Sequence, residues 1–267
     1  MKNKARQPNK KGLTVLGPED DFRFACHHRL ECFTRCCRDI AIFLTPYDIL
    51  RLKNALEISS EKFLRNYTAT FISEAGLPVV MLKMRRDAAK SCPFVTPRGC
   101  TVYSNRPWSC RIYPLQPEST KITEKSDKAY YSIMNVPFCV GSFEDTVSTV
   151  TEWLEGQGVR IYREMEKLFK NITMNEFFVG KKIANQSIKE MYYMAAYDLD
   201  RFRRFVFEST FLERFETDPD ELERMKHDDV ALYKFAMKWL EYGLIGHHAL
   251  HVKPEAMAAP KHELGIK

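Results

Sequence analysis

Eight cysteines, Cys26, Cys32, Cys36, Cys37, Cys92, Cys100, Cys110 and Cys139, all lie in the first 139 of 267 residues, and no other feature constrains the chain as strongly. The first four fall within twelve residues, a spacing that lets several thiolates reach one centre at small entropic cost. Such a group is explained by metal ligation, by a redox dithiol, or by chance burial of single apolar side chains. Clustering on one side of the chain speaks against chance. The opening residues MKNKARQPNKKG carry a basic run with no apolar stretch behind it, and no run of about 18 apolar residues occurs anywhere. The expectation is a soluble, cytoplasmic protein with no membrane insertion. A reducing compartment disfavours structural disulfides, which leaves metal ligation as the reading the cysteines support best.

Thiolates select soft centres such as zinc, copper(I) and iron–sulfur clusters over magnesium or calcium. Four of them complete a tetrahedral zinc site or one 4Fe–4S cluster, leaving up to four for a second centre. Spacing alone does not divide the eight into sets. The adjacent Cys36 and Cys37 project differently in either regular structure, so one of them is expected to serve another centre, to face the core, or to act as a reactive thiol.

Hydrophobic residues make up 45% of the chain, with 18 Phe and 12 Tyr, enough to bury a sizeable core. The expected fold class is α+β, mainly helical, with a loop-rich cysteine metal-binding lobe packed against a C-terminal helical region. Residues 1–20 read as a flexible basic tail, 21–142 as the cysteine-rich lobe, 143–252 as the helical region and 253–267 as a C-terminal tail. Pro46 sits where a first helical residue can sit, and Ile49, Leu50, Leu52 and Leu56 recur at helical intervals. A second helix is expected from Ser59 or Ser60, with Phe63, Leu64 and Tyr67 inward, and one strand in VVMLKMRR after Gly76 and Pro78. EDTVSTVTEWLEGQGV reads as a helix, VRIYREMEKLFKNI as another with Ile161, Met165, Leu168 and Phe169 inward. Long periodic stretches follow at about 182–216 and 219–242, with a boundary at Asp218–Pro219.

The formal net charge is +6, but much of the excess lies in the first dozen residues and no zinc-finger spacing or basic recognition helix accompanies it. Nucleic acid is therefore not expected as the principal partner.

The chain resembles the YkgJ-like cysteine-cluster family, described as zinc- or iron-chelating domains and close to flagellin lysine N-methylases. The resemblance begins at F24AC26HHRLEC32FTRC36C37, continues into P46YDILRLKNAL, and is strongest in C92PFVTPRGC100TVYSNRPWSC110RIYPL. Cys139 with Gly141 resembles the closing element. It implies that Cys26, Cys32, Cys36, Cys92, Cys100, Cys110 and Cys139 form the chelating constellation, with Cys37 beside them. The five residues between Cys26 and Cys32 depart from the tight CxxCxxCC form and look more like the methylase branch. Eight thiols and that first motif tip the expected cofactor from zinc towards a 4Fe–4S cluster. The activity implied is protein-lysine N-methyl transfer; a non-enzymatic metal-stabilised interaction module is the alternative, and a nucleic-acid-binding protein the third.

Arg106, Arg111, Tyr103 and Tyr113 surround the second cysteine group. They could donate hydrogen bonds to sulfur or bind an anionic cofactor, or they could hold loop carbonyls. His27 and His28 adjoin Cys26, where the abundance of thiols favours a supporting role over ligation. His247, His248 and His251 lie close together without an acidic partner at HExxH spacing. No glycine-rich donor-site motif for S-adenosylmethionine follows a plausible strand, and the three-cysteine radical pattern fails because Asp39 stands where the third cysteine is required.

Overall fold

A computed structural model describes residues 13–118, 129–178, 183–246 and 250–254. Residues 1–12 of the expected basic tail, His247, His248 and most of the C-terminal tail fall outside them. The mainly helical α+β class is observed, with helices joined by small antiparallel sheets. Among the described residues no helix is long and apolar enough to cross a membrane.

Two compact units divide the chain, each assembled from separated stretches: residues 1–40 with 84–162, and residues 41–83 with 163–267. The sequence reading placed contiguous lobes at 21–142 and 143–252. The structure interleaves them because partners for the early strands and helices lie far along the chain.

In the first unit, β1 (Val15–Leu16) pairs with β9 (Tyr131–Ile133), which also pairs with β8 (Leu115–Pro117). Leu16, placed in the tail by its polar surroundings, is buried in this sheet. Strand β2 (Asp21–Arg23) pairs with β10 (Val147–Thr149), so the start of the expected EDTVSTVTEWLEGQGV helix is extended instead. That helix begins only at Val150, where Thr149 accepts from the Glu152 N–H at 3.1 Å and Glu152 accepts from the Thr149 N–H at 2.8 Å, a reciprocal cap. Leu16, Phe22, Phe24, Ile112, Leu115, Tyr131, Val150, Leu154 and Val159 form the core, with the Trp153 ring edge-on to Phe24 at 5.4 Å.

The second unit contains α1 (Pro46–Ala55) and α2 (Ser60–Tyr67), both at the predicted starts. Thr45 and Asp48 form a capping box around Pro46, and Ser59 accepts from the Lys62 N–H. Ile49, Leu50, Leu52, Phe63 and Leu64 are buried as their spacing requires. The predicted strand is β5 (Pro78–Leu82), central between β3 (Phe43–Leu44) and β4 (Thr68–Ile72). Strand β4 follows α2 without a break and returns through Gly76, whose φ of +80° suits glycine. Only the sheet reveals it. In the helix Val159–Thr173, Met165 and Ile172 are buried while Ile161 faces solvent, so the predicted stripe is offset by a residue at its start. The long stretches break at Asp198 and Asp228, giving helices Gln186–Tyr197, Leu199–Glu208, Phe211–Arg214, Pro219–His227 and Asp229–Ile245. Asp218 caps the helix at Pro219 as predicted, and Asp228 caps the next by accepting from Val230 and Ala231.

A largely buried ion network joins three of these helices. Lys53 Nζ lies 3.1 Å from Asp200 Oδ1 and 2.9 Å from Asp229 Oδ2, and Arg203 meets the same two carboxylates. Burial alone would raise the Asp229 carboxyl, but hydrogen bonds from Arg203, Lys53 and Asn54 with the charge of Lys53 outweigh it and hold the group at about 2. Replacing Lys53 by Met leaves two carboxylates facing one guanidinium, and should lower stability by about 3 kcal/mol in urea denaturation. A carboxyl depressed in the folded state adds stability above its unfolded value of 3.8 and loses it as pH falls to about 2. Wild-type stability should therefore drop across that window, and Asp229→Asn should flatten the drop.

Candidate metal centre

All eight cysteines are free thiols and all belong to the first unit. Tight turns carry the early group: Leu30 N–H bonds to His27 O, Phe33 to Leu30, Arg35 to Cys32 and Cys37 to Thr34, ending in the 3-10 turn Arg35–Cys37. This curled path turns Cys26, Cys32 and Cys36 towards a common region without a regular helix.

Cys139 joins them from more than a hundred residues away. The Ala25 N–H donates to Gly141 O at 3.0 Å, and a Cβ on Gly141 would stand 2.5 Å from Ala25 O and 2.7 Å from the Phe24 ring. Only glycine permits the chain carrying Cys139 to approach the chain carrying Cys26 so closely. Although part of Cys26 reaches solvent, burial around its sulfur, followed by the charges of Cys36, Cys32 and Cys139, pushes its pKa up to about 11. The Tyr113 hydroxyl is buried beside the same thiols without a partner in hydrogen-bonding geometry. Burial raises its pKa, and so do its approach to Cys139 and the charges of Cys139, Cys36 and Cys26.

The later group is organised by backbone pairing. The Cys92 N–H donates to Cys37 O at 2.8 Å, Arg38 and Ser91 form an antiparallel bridge, and the Asp39 N–H reaches Lys90 O at 3.1 Å. Strand β6 (Val95–Thr96) pairs with β7 (Gly99–Cys100), with Val95 opposite Cys100 and its N–H on Cys92 O. Helix α3 (Trp108–Ile112) carries Cys110. Burial raises the pKa of Cys92 and of Cys100. Cys37 rises because its thiol is hydrogen-bonded to Cys36, then by burial and by the charges of Cys36, Cys92 and Cys110; its partner Cys36 is lowered by receiving that bond.

Arg106 and Arg111 act here as clamps. Arg111 donates to Arg106 O at 3.1 Å, Gln157 O at 2.7 Å and Ser104 O, with its guanidinium over the Tyr162 ring at 4.4 Å. Arg106 donates to Tyr103 O at 2.6 Å and to Gln157, lies over the Tyr103 ring at 3.9 Å, and places its charge near Cys100 and Cys110. The structure thus shows these guanidiniums holding carbonyls, while Tyr113 places its buried hydroxyl against Cys139. Arg85, which the sequence reading passed over, bonds Pro93 O at 2.6 Å and Val95 O at 3.2 Å and so shapes the Cys92 loop. Its only sequence signal was a basic pair, Arg85–Arg86. His27 Nε2 is engaged by Glu144 at 3.0 Å, and His28 is exposed.

Among the described residues, no three His, Cys, Asp or Glu side chains already converge in a geometry that holds an ion. The thiols are gathered without being closed around a point. Their donor chemistry, all sulfur with an orphaned buried hydroxyl alongside, fits a thiophilic metal or cluster.

Residues 25–135 match the family model CxxCxxCC, "Putative zinc- or iron-chelating domain". The cysteine-cluster resemblance read from the residues is thereby shown for this segment. The matched CxxCxxCC segment contains seven of the eight cysteines, and Cys139 lies just beyond its end. No solved structure matches the chain.

The close approach at Gly141 makes a test of Cys139. Gly141→Ala should push the closing segment off Phe24 and Ala25 and reduce bound metal several-fold, read by elemental analysis, while far-UV circular dichroism keeps its helical signal from the second unit.

Proposed function

We propose that the CxxCxxCC segment, completed by Cys139, holds an iron–sulfur centre in cysteine thiolates, with the Tyr113 hydroxyl and the Arg106 charge adjusting its electron density. The observation that carries this reading is the backbone pairing of Ala25 with Gly141, which sets Cys26 beside Cys139 with the buried Tyr113 hydroxyl next to Cys139. Thiolates this close repel one another when ionised, and a cationic centre removes that repulsion. Cluster sulfurs accept hydrogen bonds, and a buried hydroxyl aimed at them shifts the reduction potential. Eight thiols outnumber the one nearby imidazole, His27, whose Nε2 is taken by Glu144, and a set dominated by sulfur favours the cluster over a mixed-ligand zinc site.

When bound, the centre supplies redox chemistry or Lewis acidity. The chain's own residues supply its enclosure: Arg85, Arg106 and Arg111 hold the carbonyls of the loops that carry Cys92, Cys100 and Cys110. Because those loops hold little regular secondary structure, metal binding should also contribute to their folding. Lysine methyl transfer, implied only by the resemblance, has no donor-site motif in the sequence and forms no part of the proposal.

Anaerobic purification followed by visible absorption and analysis of iron, zinc and acid-labile sulfide tests the reading. Brown protein with iron and sulfide in equal amounts is the expected result. Colourless protein carrying stoichiometric zinc would replace the cluster by a zinc site, and metal-free protein would remove the proposal altogether. Tyr113→Phe should leave the metal content intact and shift the midpoint potential of the centre.

A further inference from the structure

Eight thiols exceed what any single small centre takes, because a tetrahedral zinc or a 4Fe–4S cluster is each completed by four thiolates. Backbone geometry sorts them. The Ala25–Gly141 hydrogen bond and the close approach at Gly141 set Cys26 beside Cys139. Arg35, whose guanidinium lies 4.8 Å from the centre of the Phe138 ring, brings the residue before Cys36 against the residue before Cys139. The Arg35 N–H on Cys32 O keeps Cys32 in the same turn.

Cys37 is committed elsewhere. Its carbonyl receives the Cys92 N–H, and the paired run 37–39 against 90–92 ties it to the later segment. The β6–β7 hairpin then sets Cys100 beside Cys92 through the Val95 pairing. Cys110 follows from helix α3, whose Arg111 is anchored to Arg106 O, while Arg106 faces both Cys100 and Cys110. Within the 3-10 turn Arg35–Cys37 the two thiols still touch, and what separates them is the backbone each continues into: the Cys32–Cys36 turn on one side and the run 37–39 paired with 90–92 on the other.

We propose that the chain carries two metal centres, one held by Cys26, Cys32, Cys36 and Cys139 and the other by Cys37, Cys92, Cys100 and Cys110, with the boundary at the Cys36–Cys37 peptide bond. The two sets touch where the Cys37 thiol hydrogen-bonds to Cys36. Metal binding displaces that proton and frees each sulfur for its own centre. The division rests on the reading of the thiols as metal ligands, and it can fail while that reading stands.

The measurement is metal and sulfide per chain in the anaerobically purified full-length protein. Wild type should carry two zinc, eight iron, or four iron with one zinc; a single zinc or four iron alone overturns the division without needing any variant, and absence of metal overturns both readings. Cys26→Ser with Cys139→Ser, and separately Cys100→Ser with Cys110→Ser, should each leave about half the metal, since each removes two ligands of one four-ligand centre. Adding Cys36→Ser to the first pair should remove no more, whereas adding Cys37→Ser should remove the remainder. Loss of all metal from either double variant whose circular dichroism is native, or equal effects of Cys36→Ser and Cys37→Ser when each is added to the Cys26 and Cys139 pair, would show one shared centre and sink the proposal.

Discussion

Neighbouring thiols in a folded protein repel as soon as more than one of them ionises, so the chain must hold its cysteines together by forces other than their own. Here the restraint is backbone hydrogen bonding between segments distant in sequence: Ala25 to Gly141 for the early group and Cys92 to Cys37 for the later one. Each bond lies next to, or at, a cysteine, so the sulfur positions follow from main-chain geometry with little freedom left to long side chains. Thiols placed in this way influence one another without converging on a single point.

Arginines complete the restraint. Loops such as 92–113 leave carbonyl oxygens that no strand or helix satisfies, and burying those oxygens without donors is costly. Arg85, Arg106 and Arg111 each present several N–H groups in a rigid fork, and they meet the carbonyls of Pro93, Val95, Tyr103, Ser104, Arg106 and Gln157. Lysine in the same places would offer one flexible point charge and could not bridge such separated carbonyls. Positive charge arrives with the clamp, so the same residues that hold the loops also favour thiolate over thiol nearby.

Local signals were legible in the sequence and non-local ones were not. Thr45–Pro46–Asp48 and Asp218–Pro219 encode their helix starts within four residues, and both starts stand where they were read. Val15–Leu16 and Val147–Thr149 are strands only because Tyr131–Ile133 and Asp21–Arg23 lie alongside, information no short window contains. The cysteines were recognisable as a group from count and spacing, whereas the partner of each depends on the same long-range pairing. Arg106 and Arg111 were singled out from their places beside Cys110, but an acceptor they share, Gln157, lies about fifty residues away.

Cys36 and Cys37 show why adjacency in sequence misleads about adjacency in function. A single metal ion gathers ligands from several directions, and two residues joined by one peptide bond can supply only directions that their shared turn allows. In the 3-10 turn their thiols stay in contact, yet each residue acquires different surroundings: Phe138 and the Cys139 segment near Cys36, the strand-like run through Cys92 at Cys37. A doublet of this kind therefore works as a junction, where one turn of backbone fixes the position of two thiol sets relative to each other. Any change that reshaped the turn, such as loss of the left-handed backbone at Thr34 with φ 65°, would disturb both sets together, whereas changes beyond Arg38 or before Cys32 would reach only one.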